Sequence, residues 1–324
     1  MASAVTVQPE RILKDLQQLW AQMAQAQADS GGVLRACAMT LVVAAEDTAD
    51  AERVRQTVGV LMHNHPSRAV ILRPRGDGGS GAELDARIFA ECWKPFGKTQ
   101  QICSEGIEIT AGQSGFSEIA KFLVPLRVPD LPVVLWCRGT HVFTAALEPG
   151  SLEPLFPLAD KIIFDSSRVP DADSALQFLR RLRGRGGRVA DLHWTRLTGW
   201  REVLAHLFDD RAMQPNEVKT AQVTFGGPSV STCARYFAAW IRSALPAARV
   251  TLAPGDGAPG LRSMTLLTAS DKLTIALGGD HCLEVSGAGR HYRSLLPSVS
   301  EEALMHEELG ILGPDPVYDR VLTA

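Results

Sequence analysis

The residues best suited to chemistry stand in a few short groups. His65-Pro66-Ser67-Arg68 lies between a helical run and an apolar one, so Pro66 turns His65 out of the helix, and Ser67 with Arg68 suits a phosphate or carboxylate. The same four residues fit a plain helix stop whose Arg68 pairs with an acid elsewhere. Asp165-Ser166-Ser167-Arg168 ends a predicted strand on the side where open α/β sheets take ligands. Those side chains equally suit caps for the helix that follows. His65, Ser67, Arg68, Asp165, Ser166 and Ser167 are therefore candidate anion-binding residues. Six cysteines, at 37, 92, 103, 137, 233 and 282, form no CxxC motif and read as reduced, buried small hydrophobes. Cys92 and Cys103, in neighbouring extended segments, are the one redox candidate pair. His63-Asn64-His65 has no third or fourth ligand nearby, so no metal site is expected.

Other motifs weaken on inspection. Gly76-Asp77-Gly78-Gly79-Ser80-Gly81 matches G-x-G-x-x-G in letter, but it opens no helix and does not follow the first strand of a βαβ unit. It reads as a surface loop, and no cofactor is implied. No G-x-S-x-G elbow is present, and Glu105 and Glu108 point to opposite faces of an extended segment rather than forming a dyad. The chain offers no catalytic constellation. Its most informative stretch is Asp191 to Glu202, where Trp194, Arg196, Trp200 and Arg201 surround a helix start with Thr198 as the expected N-cap. Tryptophan and arginine are enriched at interface hot spots, which makes these four residues partner-interface candidates. The competing reading places both tryptophans in the core and pairs the arginines with Asp191 and Glu202.

The elements that must position these groups follow from apolar periodicity. Glu10–Gln27 predicts an amphipathic helix that docks on this chain or on a partner. Cys37–Ala45, Ala69–Leu72, Leu131–Cys137 and Lys161–Phe164 are near-continuous apolar runs of strand length, and helices are expected at 47–62, 116–125 and 173–183. Ala86–Trp93 and Gln101–Thr110 read as a strand pair. This pattern predicts a mostly parallel α/β sheet with helices on both faces. After it come a strand at 218–225, a long helix at 229–245, and short alternating runs at 264–268, 272–277, 282–285 and 292–296 that predict an antiparallel meander in an α+β domain. The expected organisation is 1–34 as a separate helix, 35–168 as the α/β domain and 169–324 as the α+β domain.

Composition limits the function classes. Lys and Arg number 33 against 36 Asp and Glu, a net charge of −3 that argues against a nucleic-acid footprint or a polybasic membrane surface. No apolar run approaches a membrane span, and the start lacks the pattern of a signal peptide. A cytoplasmic protein is the expectation.

Several blocks then carry a resemblance. They are His65-Pro66-Ser67-Arg68, Ile102-Cys103-Ser104-Glu105, Val128-Pro129-Asp130-Leu131-Pro132-Val133 with Leu135-Trp136, Ala159-Asp160-Lys161-Ile162-Ile163 with Asp165-Ser166-Ser167, and Asp191-Leu192 through Trp194-Thr195-Arg196-Leu197 to Trp200-Arg201. In this order the chain resembles the glucose-6-phosphate dehydrogenase assembly protein (OpcA) family. The resemblance implies a non-enzymatic partner that binds glucose-6-phosphate dehydrogenase, favours its active oligomer and supports NADPH supply in the oxidative pentose phosphate pathway. It supplies no catalytic residues, and the cysteines here match no redox pattern of the family. A sugar-phosphate enzyme resembling 6-phosphogluconolactonase, or a sugar-phosphate or nucleotide sensor, is the alternative.

Overall fold

Near-continuous apolar runs build the centre of the first sheet. The computed structural model describes residues 8–28, 31–74, 84–95, 97–111, 116–139, 152–169, 171–210, 213–279, 281–296 and 300–324. In chain order the first elements are α1 (Pro9–Ala26), β1 (Val33–Arg35), β2 (Met39–Ala44), α2 (Thr48–Met62), β3 (Ser67–Pro74), β4 (Asp85–Trp93), β5 (Gln101–Ala111), α3 (Phe116–Leu126), β6 (Val133–Cys137), β7 (Lys161–Phe164), α4 (Ala172–Gly184) and β8 (Val189–Asp191). The sheet runs β1-β5-β3-β2-β6-β7-β8, with β4 antiparallel on β5. Every residue of β2, β6 and β7 is buried although successive side chains point to opposite faces. Both faces are therefore covered, as expected for a parallel sheet.

Local chemistry sets the helices of this half. Asp47 caps α2 by accepting from the Asp50 N–H. Helix α1 lies against α3 and β4 and buries Ile12 and Leu16, so its apolar stripe is satisfied within the chain. Gly106 in mid-strand faces Phe89 across β4, and a Cβ there would fall 2.0 Å from the ring.

The strand pair β4–β5 corrects one expectation. Cys92 and Cys103 are directly opposite in register and form a disulfide with Cα atoms 4.1 Å apart, so these two are not reduced hydrophobes. Cys37, Cys137, Cys233 and Cys282 are free thiols.

The remaining elements are α5 (Leu192–Thr195), α6 (Thr198–Asp209), β9 (Thr220–Gly226), α7 (Thr232–Ala244), β10 (Arg249–Pro254), β11 (Gly260–Leu267), β12 (Lys272–Leu277), β13 (Cys282–Gly287), β14 (Arg290–Leu295), α8 (Glu301–Gly310) and α9 (Pro316–Thr323). They carry a second sheet in the order β10-β9-β11-β12-β13-β14. Strands β11 to β14 form the expected antiparallel meander, while β10 runs parallel to β9 and completes a crossover through α7. Pro228 and Gly227 hold the chain in a turn, so α7 starts three residues later than its apolar stripe suggests, with Ser231 as the cap. Thr198 is not a cap either. Leu197 holds that position without a side-chain bond, and the Thr198 hydroxyl accepts from Arg201 instead.

The chain divides into two units, Met1–Asp165 with Gly186–Val189 and Met305–Leu312, and Ser166–Arg185 with Ala190–Leu304 and Gly313–Ala324. The expected division into 1–34, 35–168 and 169–324 ran straight along the chain, whereas the real path returns to the first unit twice. Lys161 anchors one return. Its buried ammonium donates to the Glu308 carboxylate at 2.6 Å and to the carbonyls of Glu308 and Ile311 at 2.8 and 2.7 Å. No helix among the described residues is long and apolar enough to cross a membrane.

Denatured without reductant, the protein is expected to yield four reactive thiols, those of Cys37, Cys137, Cys233 and Cys282. Reduction should raise the count to six. Six at the outset would remove the Cys92–Cys103 bond.

Candidate functional site

Strand order reverses beside β2: the chain passes outward through β3 on one side and through β6 and β7 on the other. In open α/β sheets the crevice beyond the carboxyl ends at such a reversal is the usual ligand site. Helix α2 starts there, and a helix amino terminus ordinarily favours an anion. Carboxylates occupy the place instead. Asp50, wholly buried, accepts from Arg138 Nε at 2.9 Å and Nη2 at 2.7 Å, from the Glu46 N–H at 2.9 Å and from Arg53 at 3.2 Å. Arg138 leaves the end of β6, its N–H bound to the Ala44 carbonyl and its guanidinium 4.6 Å above the Trp136 ring. Burial works to raise the pKa of Asp50, but the bonds from Arg138, Glu46 and Arg53 outweigh it and hold the carboxyl below its ordinary value. The start of α2 is thus answered by the chain's own ion pair, and a phosphate arriving there would meet Asp47 and Asp50. Sequence reasoning missed both partners of that pair, although an acid and an arginine each sit just past an apolar strand. The glycine motif at 76–81 lies outside the described residues.

The group at 65–68 does not converge on one ligand. Arg68 is 7% exposed and donates from Nε to Glu105 at 2.5 Å and from Nη1 to the Leu126 carbonyl at 2.9 Å. Glu105 also accepts from Arg35 at 2.6 Å and from the Trp20 indole at 2.5 Å. Arg68 is therefore neutralised inside the chain, and its assignment to an outside anion is corrected to the helix-stop reading. Ser67 is buried on the opposite face of β3. His65 turns away from both, its Nε2 lying 2.8 Å from His306 Nδ1. Partial burial, with the charge of His306, keeps the His65 imidazole below its ordinary pKa. Glu108 pairs with Arg55 at 3.0 Å, so the two glutamates serve separate arginines.

Residues 165–167 neither cap the next helix nor form an open anion site. The cap of α4 is Asp171, which accepts from the Asp173 N–H. Ser166 is buried and its N–H donates to Asp191 at 2.9 Å, while Asp165 and Ser167 are engaged by other groups. Asp191, wholly buried, also accepts from the His193 N–H at 2.9 Å and the Tyr236 hydroxyl at 2.8 Å. Those three donors replace the water lost on burial. Desolvation and the adjacent Asp191 charge push the Tyr236 phenol well above its ordinary pKa, so it stays a donor.

The tryptophans belong to the same interior. Trp194 is 2% exposed, its indole donating to Asp315 at 3.2 Å, and it meets Tyr236 edge-on and Tyr318 at a tilt. Trp200 is 4% exposed and meets Phe237 edge-on. Both are core, which corrects their assignment to a partner interface. Arg201 lies over the Trp194 ring at 3.9 Å and so continues this packing. Arg196 is half-buried. The helical stripe of α6 was read correctly, but one-dimensional spacing does not distinguish a stripe facing its own core from one facing a partner.

Two substitutions test these assignments. Trp194→Ala is expected to lower unfolding free energy by about 3–5 kcal/mol in urea titrations, the range for emptying an aromatic core site. Arg138→Met, which leaves buried Asp50 with only the more exposed Arg53 as a charged partner, is expected to cost about 3 kcal/mol at neutral pH. The wild-type carboxylate is depressed, so its contribution is present above the ordinary Asp pKa and lost as pH falls through the folded value. In the variant the carboxyl, without Arg138, protonates sooner and relieves the penalty. The gap between the two proteins should therefore narrow in acid, and a constant gap would reject the pairing.

Comparisons with known proteins match the chain in two consecutive parts. Residues 58–181 match the family model described as the glucose-6-phosphate dehydrogenase subunit N-terminal domain, and residues 187–322 match its C-terminal counterpart. A “Putative OxPP cycle protein OpcA” of Synechocystis sp. is 28% identical over 187 residues, 56% of this chain and 38% of its own length. Its namesake in Synechococcus elongatus is 27% identical over 225 residues, 66% of this chain and 47% of its own. The matched region is thus less than half the length of these relatives. Among solved structures, a super-repressor mutant of Gal80p from Saccharomyces cerevisiae overlaps 83% of this chain and 82% of its own at 8% identity, with a TM-score of 0.48. With both halves matched in order, the chain belongs to the glucose-6-phosphate dehydrogenase assembly protein (OpcA) family.

Proposed function

We propose that this protein is a non-catalytic partner of glucose-6-phosphate dehydrogenase that raises the enzyme's activity by favouring its active oligomer. The observation that carries the reading is the match of both halves of the chain to domains described for a glucose-6-phosphate dehydrogenase subunit. The relatives' description as oxidative pentose phosphate cycle proteins supports the same pathway, and NADPH supply would be the output. The start of α2 supports it from the other direction, because Asp50 and Arg138 pair with each other where such a sheet ordinarily offers its helix start to a small anion. A sugar-phosphate enzyme built on His65, Ser67 and Arg68 loses support because Arg68 already neutralises Glu105, and a sensor built on Asp165 to Arg168 loses some because the Ser166 N–H is already given to Asp191. A cytoplasmic location is part of the proposal, as the dehydrogenase reaction would require.

A partner of this kind acts only by binding one state of the enzyme better than another. About 1.4 kcal/mol of difference gives a tenfold shift. With Trp194 and Trp200 inside, exposed strand β14 is the better docking element. It is the last strand of the second sheet, and Tyr292 and Leu295 are 39% and 76% exposed on it. An outer strand edge offers backbone groups for pairing, and aromatic and aliphatic side chains offer anchors.

Mixing the purified protein with the dehydrogenase of the same source should produce a complex on size exclusion and faster NADPH formation. Tyr292→Ala with Leu295→Ser should weaken both by about tenfold or more while leaving the urea midpoint within error, since neither side chain is core. Absence of a complex together with unchanged dehydrogenase activity would reject the function. A complex unaffected by the double variant would reject only the surface.

A further inference from the structure

Side chains alternate across the second sheet. Val223, Met264, Ile275 and Val285 are register partners on neighbouring strands and are wholly buried, and α7 packs against β9, β10 and β11. The residues between them point to the opposite face. There Gln222, Thr265, Thr274 and Ser286 form one row across four strands. Thr224, Ser263, Ala276 and Glu284 form the next. None of these eight side chains is buried.

A solvated sheet face ordinarily carries charged side chains. Here the middle strands present threonine, serine, alanine and glutamine, and the Thr265 and Thr274 hydroxyls bond to each other at 3.2 Å. That bond lowers the cost of removing water from them. Charge gathers toward the strand ends and the far edge. Lys272 opens β12, while Glu284 on β13 meets Arg293 on β14 at 3.4 Å with both side chains about half exposed. An uncharged centre with charges around it is the make-up of a protein interface. Six strands about 4.8 Å apart, with about six residues each at about 3.4 Å, give a footprint of about 600 Å². Two such faces pressed together cover about 1,200 Å², above the roughly 1,000 Å² that a specific interface needs.

Lys272 and Glu284 point to the occupant. Glu284 stands opposite Ala276, four residues along β12 from Lys272, so within one copy the two charges are about 14 Å apart and do not pair. A two-fold axis between two such faces, crossing the strands at Thr274, exchanges the ends of β12. It sets each Lys272 over the Ala276 of a second copy, beside that copy's Glu284. We propose that the open face of the second sheet is the interface of a homodimer, centred on Thr274 and closed by two Lys272–Glu284 pairs between copies. The contact is isologous, each copy offering the same patch, and the two sheets stack about 10 Å apart. Face-to-face stacking leaves the backbone edge of β14 outside. The dimer concerns the chain alone and stands or falls apart from the dehydrogenase.

Sedimentation velocity on the full chain, with no dehydrogenase present, is expected to give twice the mass of one copy. Thr274→Arg, which sets two like charges together on the axis, should weaken the dimer about a hundredfold while leaving the urea midpoint unchanged. Lys272→Glu and Glu284→Lys should each weaken it about tenfold, and the two combined should restore it, because the reversed charges meet again across the axis. Should Thr274→Arg not fold, the charge reversal decides. A wild type that stays monomeric up to about 100 μM overturns the dimer. So does a dimer indifferent to a folded Thr274→Arg, or a double reversal no stronger than either single one.

Discussion

A carboxylate taken out of water must find its hydrogen-bond donors in the chain that buries it, and among the described residues three are almost wholly buried. Asp50, Glu105 and Asp191 have at most 1% of their surface exposed. Each is met by several donors, at least one of them distant in sequence: Arg138, with Arg53 and the Glu46 amide, for Asp50; Arg68, Arg35 and Trp20 for Glu105; and Tyr236, with the Ser166 and His193 amides, for Asp191. Leaving such a charge unpaired costs several kcal/mol, a large share of the net stability of a domain. The constraint therefore decides how these residues are used. An arginine that must neutralise Glu105 is not also a ligand for substrate phosphate, and an aspartate that holds Arg138 across the sheet is not a general base.

That accounting explains which parts of the architecture were legible. Strands such as Lys161–Phe164 and the run ending at Cys137 announce themselves because a parallel strand buried on both faces is apolar nearly throughout. The cap of α2 and the stripe of α1 are likewise local properties. The polar interior is not local. Asp50 and Arg138 are 88 positions apart, Arg68 and Glu105 are 37 apart, and Lys161 and Glu308 are 147 apart, so no window along the chain contains both members. The pairing of Cys92 with Cys103 was partly visible, because two neighbouring extended segments already place them near one another. Trp194 and Trp200 were misread for the complementary reason. Interface anchors and core aromatics draw on the same residue types, and only burial separates them.

The two sheets also use their helix starts differently, and the contrast bears on what each can do. At α2 the positive end of the helix is met by Asp47, which caps it, and by Asp50, which also pairs with Arg138. At α7 the corresponding place holds Ser231, whose hydroxyl accepts from the Ala234 N–H without bringing a charge. A buried carboxylate must in turn be neutralised by a cation from elsewhere in the chain, whereas a hydroxyl satisfies the exposed N–H groups alone. The first sheet therefore ties its helix start to a distant arginine, while the second closes its own with a local, neutral cap.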